Sequence, residues 1–194
     1  MRMLPFGEGE RERLLRMGNE TALRQSLGAR FALWRLAKKR GLAKQSLLVE
    51  RTETGKPYFS DPRLPAFSIS HSGALCVAVL CERAGASVGV DVQAVDDRRH
   101  TERIAERFFT PEEQRLCASD TEAFFRLWTQ KEAEAKRSGT GLASVLSDTQ
   151  APPPADLRTL RIRYKKQRYY VCVAASEPIA KLGVSRGHGI TIEE

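Results

Sequence analysis

The chain predicts an α+β fold, on three observations. Its segments read helix, strands, helices, strands, which is not the strand–helix alternation of a doubly wound parallel sheet. Each half holds one long helical periodicity and several short strand-like runs, with no short-period repeat. With 194 residues, 41% hydrophobic and 29% charged, there is apolar material for a packed core and too much of it for a disordered chain.

The N-terminal MRMLPFGEGERERLLRM has no apolar stretch of signal-peptide length, so the cytoplasm is the expected compartment. Residues 19–40 predict a helix. Asn19 caps it and Gly41 follows it. Leu23, Leu27, Phe31 and Trp34 form the stripe expected to face the core, with Arg24, Arg30 and Arg35 off it. SLLVERT predicts a short strand, and TGKPYFSDPRLP a loop full of breakers. AFSISHSG leads into ALCVAVLCE, a continuous apolar run that suits a buried strand. This longest apolar run, residues 74–81, falls far short of the ~20 residues a bilayer span needs.

After a Gly85-Ala86 turn, SVGVDVQAV alternates, with Val88, Val90 and Val92 on one side and Gly89, Asp91 and Gln93 on the other. The charged DDRRHTER leads to a short helix ending near Phe109. Thr110-Pro111-Glu112-Glu113 is a capping box with proline at the first helical position. Residues 121–138 predict a second long helix stopped by Gly139. PPP at 152–154 predicts a loop, and TLRIRY and RYYVCVAA a hairpin about residues 165–167. The last fifteen residues are weakly patterned.

The net charge of +8 is concentrated: residues 1–60 carry 13 Lys/Arg against 6 Asp/Glu, and the remainder is nearly balanced. Such a surplus is either a solvated basic face or a seat for a nucleotide, a nucleic acid or an acidic protein. Aromatic residues, 7% of the chain, do not interleave with the basic ones as on an RNA-binding surface. The four cysteines, at 76, 81, 117 and 172, form no C-x-x-C pair and do not match a zinc site. They predict buried, reduced thiols.

Three places suggest chemistry. In the 121–138 helix, the stripe of Phe124 and Trp128 continues by fours to Glu132 and Lys136. These form either a surface ion pair one turn apart, or a carboxylate and an ammonium drawn inward, where burial demands partners or a ligand. Asp91 and Gln93 share a strand face, which is either a solvated polar side or a pair of oxygen donors for a hard cation such as Mg²⁺. Ser70-His71-Ser72 closes a strand with no G-x-S-x-G elbow or triad in view, so His71 reads as a structural group or a phosphate donor. Lys56, in Gly55-Lys56-Pro57, is a cation in a constrained loop that is not a P-loop. Carboxylates, an amide, a histidine and several cations together suit a reaction on a phosphate ester.

Five segments stand in a telling order: Gly55-Lys56-Pro57, then Phe67-Ser68-Ile69-Ser70-His71-Ser72, then Val88-Gly89-Val90-Asp91-Val92. Arg107-Phe108-Phe109-Thr110 with Glu113 follows, and Trp128-Thr129-Gln130-Lys131-Glu132-Ala133 with Lys136 and Gly139-Thr140-Gly141-Leu142 comes last. In that order and spacing, over residues 20–175, the chain resembles the 4′-phosphopantetheinyl transferases of the surfactin-synthetase-activator (Sfp) type, the holo-[acyl-carrier-protein] synthase activity. The resemblance implies two similar subdomains, residues 1–86 and 87–194, related by a pseudo-twofold with coenzyme A between them. It implies a monomer, since one chain supplies both sides of the site. The implied reaction is Mg²⁺-dependent transfer of the phosphopantetheine arm of coenzyme A to a serine of an apo acyl or peptidyl carrier protein, releasing 3′,5′-ADP.

By the same resemblance, Asp91 and Glu132 are Mg²⁺ ligands, Glu132 is also the base, and Lys136 contacts the phosphates and stabilises the leaving group. Lys56, Ser70, His71, Lys131 and Arg24 are coenzyme A contacts. Gln93 stands where the family often has glutamate. Its amide oxygen can ligate the metal but brings no charge and cannot act as a base, which leaves that part to Glu132. Ser68 replaces a frequent asparagine at a position expected to be structural. The rival readings are a basic nucleic-acid-binding module, a relative that binds coenzyme A or a carrier without turnover, and a Mg²⁺-dependent phosphohydrolase. Asp91 and Glu132 weigh against the first, and neither nucleic acid nor membrane is an expected partner.

Overall fold

The structure, a computed structural model, describes residues 7–42, 47–96, 101–141, 156–179 and 190–193. Helices α1 (Gly7–Leu15) and α2 (Glu20–Lys39) precede two antiparallel hairpins, β1 (Val49–Arg51) with β2 (Pro57–Phe59), and β3 (Ala66–Ser72) with β4 (Leu75–Cys81). Then come β5 (Val88–Ala94), α3 (Glu102–Phe108), α4 (Pro111–Ser119), α5 (Thr121–Ser138), β6 (Asp156–Tyr164), β7 (Gln167–Ala175) and β8 (Ile190–Glu193). The last sheet is antiparallel throughout, in the order β5-β7-β6-β8. The content is α+β, as expected. Leu142, residues 97–100 of the charged stretch and the prolines at 152–154 lie outside the described residues.

Where the determinants are local, the expectations hold. Asn19 accepts the Ala22 amide at the start of α2. Thr110 and Glu113 exchange both bonds of a capping box around Pro111. Gly139 takes the left-handed conformation, φ 74°, that stops α5.

Where partners come from afar, the structure corrects them. The buried face of α2 is Ser26, Ala29, Arg30, Leu33 and Ala37, not the expected Leu23/Leu27/Phe31/Trp34 stripe. Phe31 is 48% exposed and stacks on Trp34. The cause is close approach: a Cβ on Gly28 would run into the Cys76 thiol, so α2 meets β4 along its small residues. β4 itself is buried only at Leu75 and half-buried along the rest, not a fully buried strand. Helix α1 has no apolar stripe to announce it. It is held by Leu14 and by a buried acid, Glu10. β8, in the weakly patterned tail, adds Ile190 and Ile192 to the core.

The valines of β5 behave as the alternation predicts, packing with Leu75, Ile162, Tyr169, Val171 and Val173. The opposite side of β5 is not solvated, because α5 lies on it. Farther along α5, Phe124, Phe125 and Trp128 pack with Ala105, Phe109 and Tyr170, which fixes the helix over the sheet. Among the described residues no helix is long and apolar enough to cross a membrane.

All four cysteines are free, but only Cys172 is fully buried, so the expectation of buried thiols holds for it alone. Burial pushes its thiol up to about 11. Alkylation at mildly alkaline pH, read by peptide mass, is expected to leave Cys172 unmodified in the folded protein and to label it fully after denaturation. Equal labelling in both states would contradict its placement on β7 beneath α5.

Candidate active site

Three elements bring the site together. β5 supplies Asp91, β3 supplies Ser70, and α5 supplies Glu132 and Lys136. The approach of α5 to β5 depends on Gly89: a Cβ there would fall on the Ala133 carbonyl oxygen and the Arg137 amide, well inside contact distance. With no side chain at that point, helix and strand touch backbone to backbone.

Asp91 is 2% exposed. Its Oδ1 accepts from Lys136 Nζ at 2.6 Å and from Ser70 Oγ at 2.7 Å, and its Oδ2 accepts from Gln93 Nε2 at 3.0 Å. Lys136 also donates to Ser70 Oγ at 2.9 Å. The buried carboxylate is thus partnered on both oxygens, as burial of a charge requires. Lys136 pairs with Asp91, 45 residues away, and not with Glu132 one turn back, so the surface-pair reading of Glu132 and Lys136 is set aside. Glu132 is half-buried on the same helix. Burial, and then the negative charge of Asp91, hold its carboxyl above the ordinary range, while Lys136 acts in the other direction.

β3 runs beside the free edge of β5 and is joined to it by serine hydroxyls. Ser68 Oγ accepts the Val90 amide and Ser72 Oγ accepts the Ala94 amide, each at 3.0 Å, and Ser70 between them reaches Asp91. Ser68 is therefore a structural hydroxyl. His71 is the next residue on β3 and lies exposed. Although one side of the ring is open to solvent, desolvation by the protein around the rest and then the positive charges of Lys136 and Arg30 depress its imidazole pKa, and Asp91 opposes them.

The other expected contacts spread outward. Lys56 Nζ donates to the Arg137 carbonyl at 2.5 Å, at the C-terminal end of α5. Burial, and then the Arg137 charge, lower its pKa, and Glu134 raises it. Beside it opens a cleft of about 1120 Å³, lined by Lys56, Arg137, Arg63, Arg83, Tyr58 and Thr140 among others, which does not include Asp91 or Glu132. Lys131 faces away from Asp91. It pairs with Glu113 of the α4 capping box at 2.9 Å and lies over the Phe109 ring. Arg24 is on the exposed side of α2 and pairs with Glu20. The structure therefore gathers Asp91, Ser70, Gln93, Lys136 and, by charge, Glu132 and His71. It leaves Lys131 and Arg24 with other partners.

One cluster has no counterpart in the sequence analysis. The buried Glu10 carboxylate accepts from the guanidiniums of Arg13, Arg30 and Arg51. Burial and the neighbouring Arg51 lower Arg30 to about 10. The only signal for it was the surplus of arginine in the first sixty residues.

Among the described residues no three His, Cys, Asp or Glu side chains gather to hold a metal by themselves. The donor set still fits Mg²⁺. That ion is commonly held by one or two carboxylates, with waters and substrate phosphates completing the shell. The charge of Asp91 is close enough to raise the cost of ionising Glu132, a repulsion a cation would relieve.

The profile of the 4′-phosphopantetheinyl transferase superfamily matches residues 87–181, which hold β5, α3, α4, α5 and the β6–β7 hairpin. The chain belongs to that superfamily. Within it the likeness is to the Sfp type. The 4′-phosphopantetheinyl transferase Sfp of Bacillus subtilis strain 168 is 32% identical over 129 residues, 64% of this chain and 55% of the relative. An L-aminoadipate-semialdehyde dehydrogenase-phosphopantetheinyl transferase of Eremothecium gossypii is 31% identical over 190 residues, 90% of this chain and 66% of the relative. The 4′-phosphopantetheinyl transferase HetI of Nostoc is 34% identical over 101 residues, 47% of this chain and 41% of the relative. Across such curated relatives the chain spans between about two fifths and two thirds of their length.

Proposed function

We propose that this protein transfers the 4′-phosphopantetheine arm of coenzyme A to a serine of an apo acyl or peptidyl carrier protein, with release of 3′,5′-ADP. The observation that carries the reading is the Asp91–Ser70–Lys136 cluster with Glu132 one turn away, a paired set of carboxylates and a cation on rigid elements. Asp91 and Glu132, with the amide oxygen of Gln93, would hold Mg²⁺. The bound ion would supply charge neutralisation at the pyrophosphate.

The chain's own groups do the rest. The carrier serine oxygen bonds to the phosphorus bearing the pantetheine arm, and the bond from that phosphorus to the 3′,5′-ADP oxygen breaks. Glu132, a carboxylate of raised proton affinity, accepts the serine proton. Lys136, held on Asp91 in the free protein, moves its ammonium to the charge developing on the departing 3′,5′-ADP. His71 and Ser70 donate to the coenzyme A phosphates. Lys56 lines a cleft of about 1120 Å³, large enough for a cofactor. Lys131 and Arg24 come into reach only if each leaves its present carboxylate partner.

The basic first sixty residues attract an acidic carrier, an effect that weakens with salt. The protein acts in the cytoplasm as a monomer. Its two subdomains meet near residues 86 and 87, and the pseudo-twofold between them is part of the same reading.

The test is the intact mass of apo carrier proteins incubated with the protein, coenzyme A and Mg²⁺. A gain of one phosphopantetheine group, dependent on Mg²⁺, is the expected result. No gain on fatty-acid, polyketide or nonribosomal-peptide carriers, with coenzyme A still bound, would point to a binding-only relative. Loss of coenzyme A with no carrier present would point to a phosphohydrolase.

A further inference from the structure

We infer that Glu10 is a positioning residue for Lys56, acting through Arg51 and the backbone of the Gly55-Lys56-Pro57 loop. The inference rests on the coenzyme A reading of that loop. Arg51 binds the Glu10 carboxylate with two nitrogens, Nε to Oε2 and Nη2 to Oε1, each at 3.0 Å. Its third nitrogen, Nη1, donates to the Gly55 carbonyl at 2.6 Å. One planar guanidinium thus spans a buried acid on α1 and the residue immediately before Lys56.

The loop is the turn of the β1–β2 hairpin, closed by the Arg51–Pro57 pair. Gly55 sits at φ +86°. The remaining ties are local: Thr52 accepts the Lys56 amide on its hydroxyl, donates its own amide to the Lys56 carbonyl, and accepts the Gly55 amide on its carbonyl. The anchor, by contrast, is stiff. Glu10 is 4% exposed and also carries Arg30, itself 5% exposed and tied back to the Ser26 carbonyl at 2.8 Å. The far end of the relay is Lys56 Nζ on the Arg137 carbonyl at 2.5 Å. The path therefore runs α1, Arg51, Gly55, Lys56, and ends on the helix that carries Glu132 and Lys136.

The test uses Glu10→Gln, which keeps size and one acceptor but removes the charge, and Arg51→Lys, which keeps the charge but cannot hold Glu10 and Gly55 at once. Coenzyme A affinity is measured by calorimetry, kcat at saturating coenzyme A by carrier modification, and amide exchange of residues 52–57 by mass spectrometry. Both variants are expected to weaken coenzyme A about tenfold, leave kcat within about twofold and speed exchange in the loop. In a Lys56→Ala background, Glu10→Gln is expected to add less than about twofold to the loss of affinity, because both changes act on one group.

Full additivity with Lys56→Ala, or unchanged exchange in the loop, would overturn the inference. So would a lowered melting temperature with unchanged affinity, the mark of a purely structural acid. Should Glu10→Gln fail to fold, Arg51→Lys and its double variant decide alone. If wild type binds no coenzyme A while Glu10→Gln still loosens residues 52–57, the reading of the cleft falls and the positioning of the loop stands.

Discussion

Glu132→Gln is expected to lower phosphopantetheine transfer by about two to four orders of magnitude, with coenzyme A affinity changed only a few-fold in the absence of metal. Glutamine preserves the length of the side chain and one oxygen, so the packing of α5 is kept. It removes the basicity that burial and Asp91 have raised. No second carboxylate can take over. In the free protein Asp91 is bonded on both oxygens to Ser70, Lys136 and Gln93, in the proposed reaction it is taken by the metal, and position 93 is already an amide. The measurement is the rate of mass gain on an apo carrier under single-turnover conditions. A variant within about tenfold of wild type would mean that the serine proton leaves by another route, and Glu132 would revert to a metal ligand only.

Gly89→Val is expected to damage stability and activity together. Its side chain would meet the backbone of α5 at Ala133 and Arg137, which no rotamer change can relieve. Overpacking of this kind costs about 1–3 kcal/mol, and a backbone clash belongs at the upper end. For a chain of this size that lowers the melting temperature by about 2–4 °C per kcal/mol. The larger consequence is geometric. A helix lifted from β5 separates Lys136 from Asp91, a contact of 2.6 Å. Transfer is then expected to fall further than the loss of folded protein explains. Thermal unfolding and specific activity of the folded fraction, measured together, separate the two effects. A stable variant of normal activity would show that the close approach is dispensable.

The parts of this architecture that could be read from the sequence are those decided within a few residues. The Thr110–Glu113 box, Asn19 and Gly139 need no partner from elsewhere, and each does what its position predicts. The buried face of α2 is not legible in the sequence, because hydrophobicity alone ranks Leu27 and Phe31 above Gly28 and Ala29. The decision was made by how closely Cys76 approaches, and by Glu10, whose carboxylate draws Arg30 inward. The site divides the same way. Asp91, Glu132 and Lys136 were recognisable as residue types in a motif. That Lys136 turns to Asp91 rather than to Glu132 depends on the seating of α5 on β5, which no local spacing encodes. Lys131 illustrates the reverse: adjacent to Glu132 in the chain, it points around the helix to Glu113.

The serine hydroxyls along β3 also bear on how the molecule behaves in company. An outermost strand with bare amides is a template on which a strand from another copy can grow. At β5 the Val90 and Ala94 amides are already taken by Ser68 and Ser72. An incoming chain would have to displace those hydroxyls before forming its first rung. The strand that carries Asp91 is thereby guarded against self-association without being fused into a wider sheet.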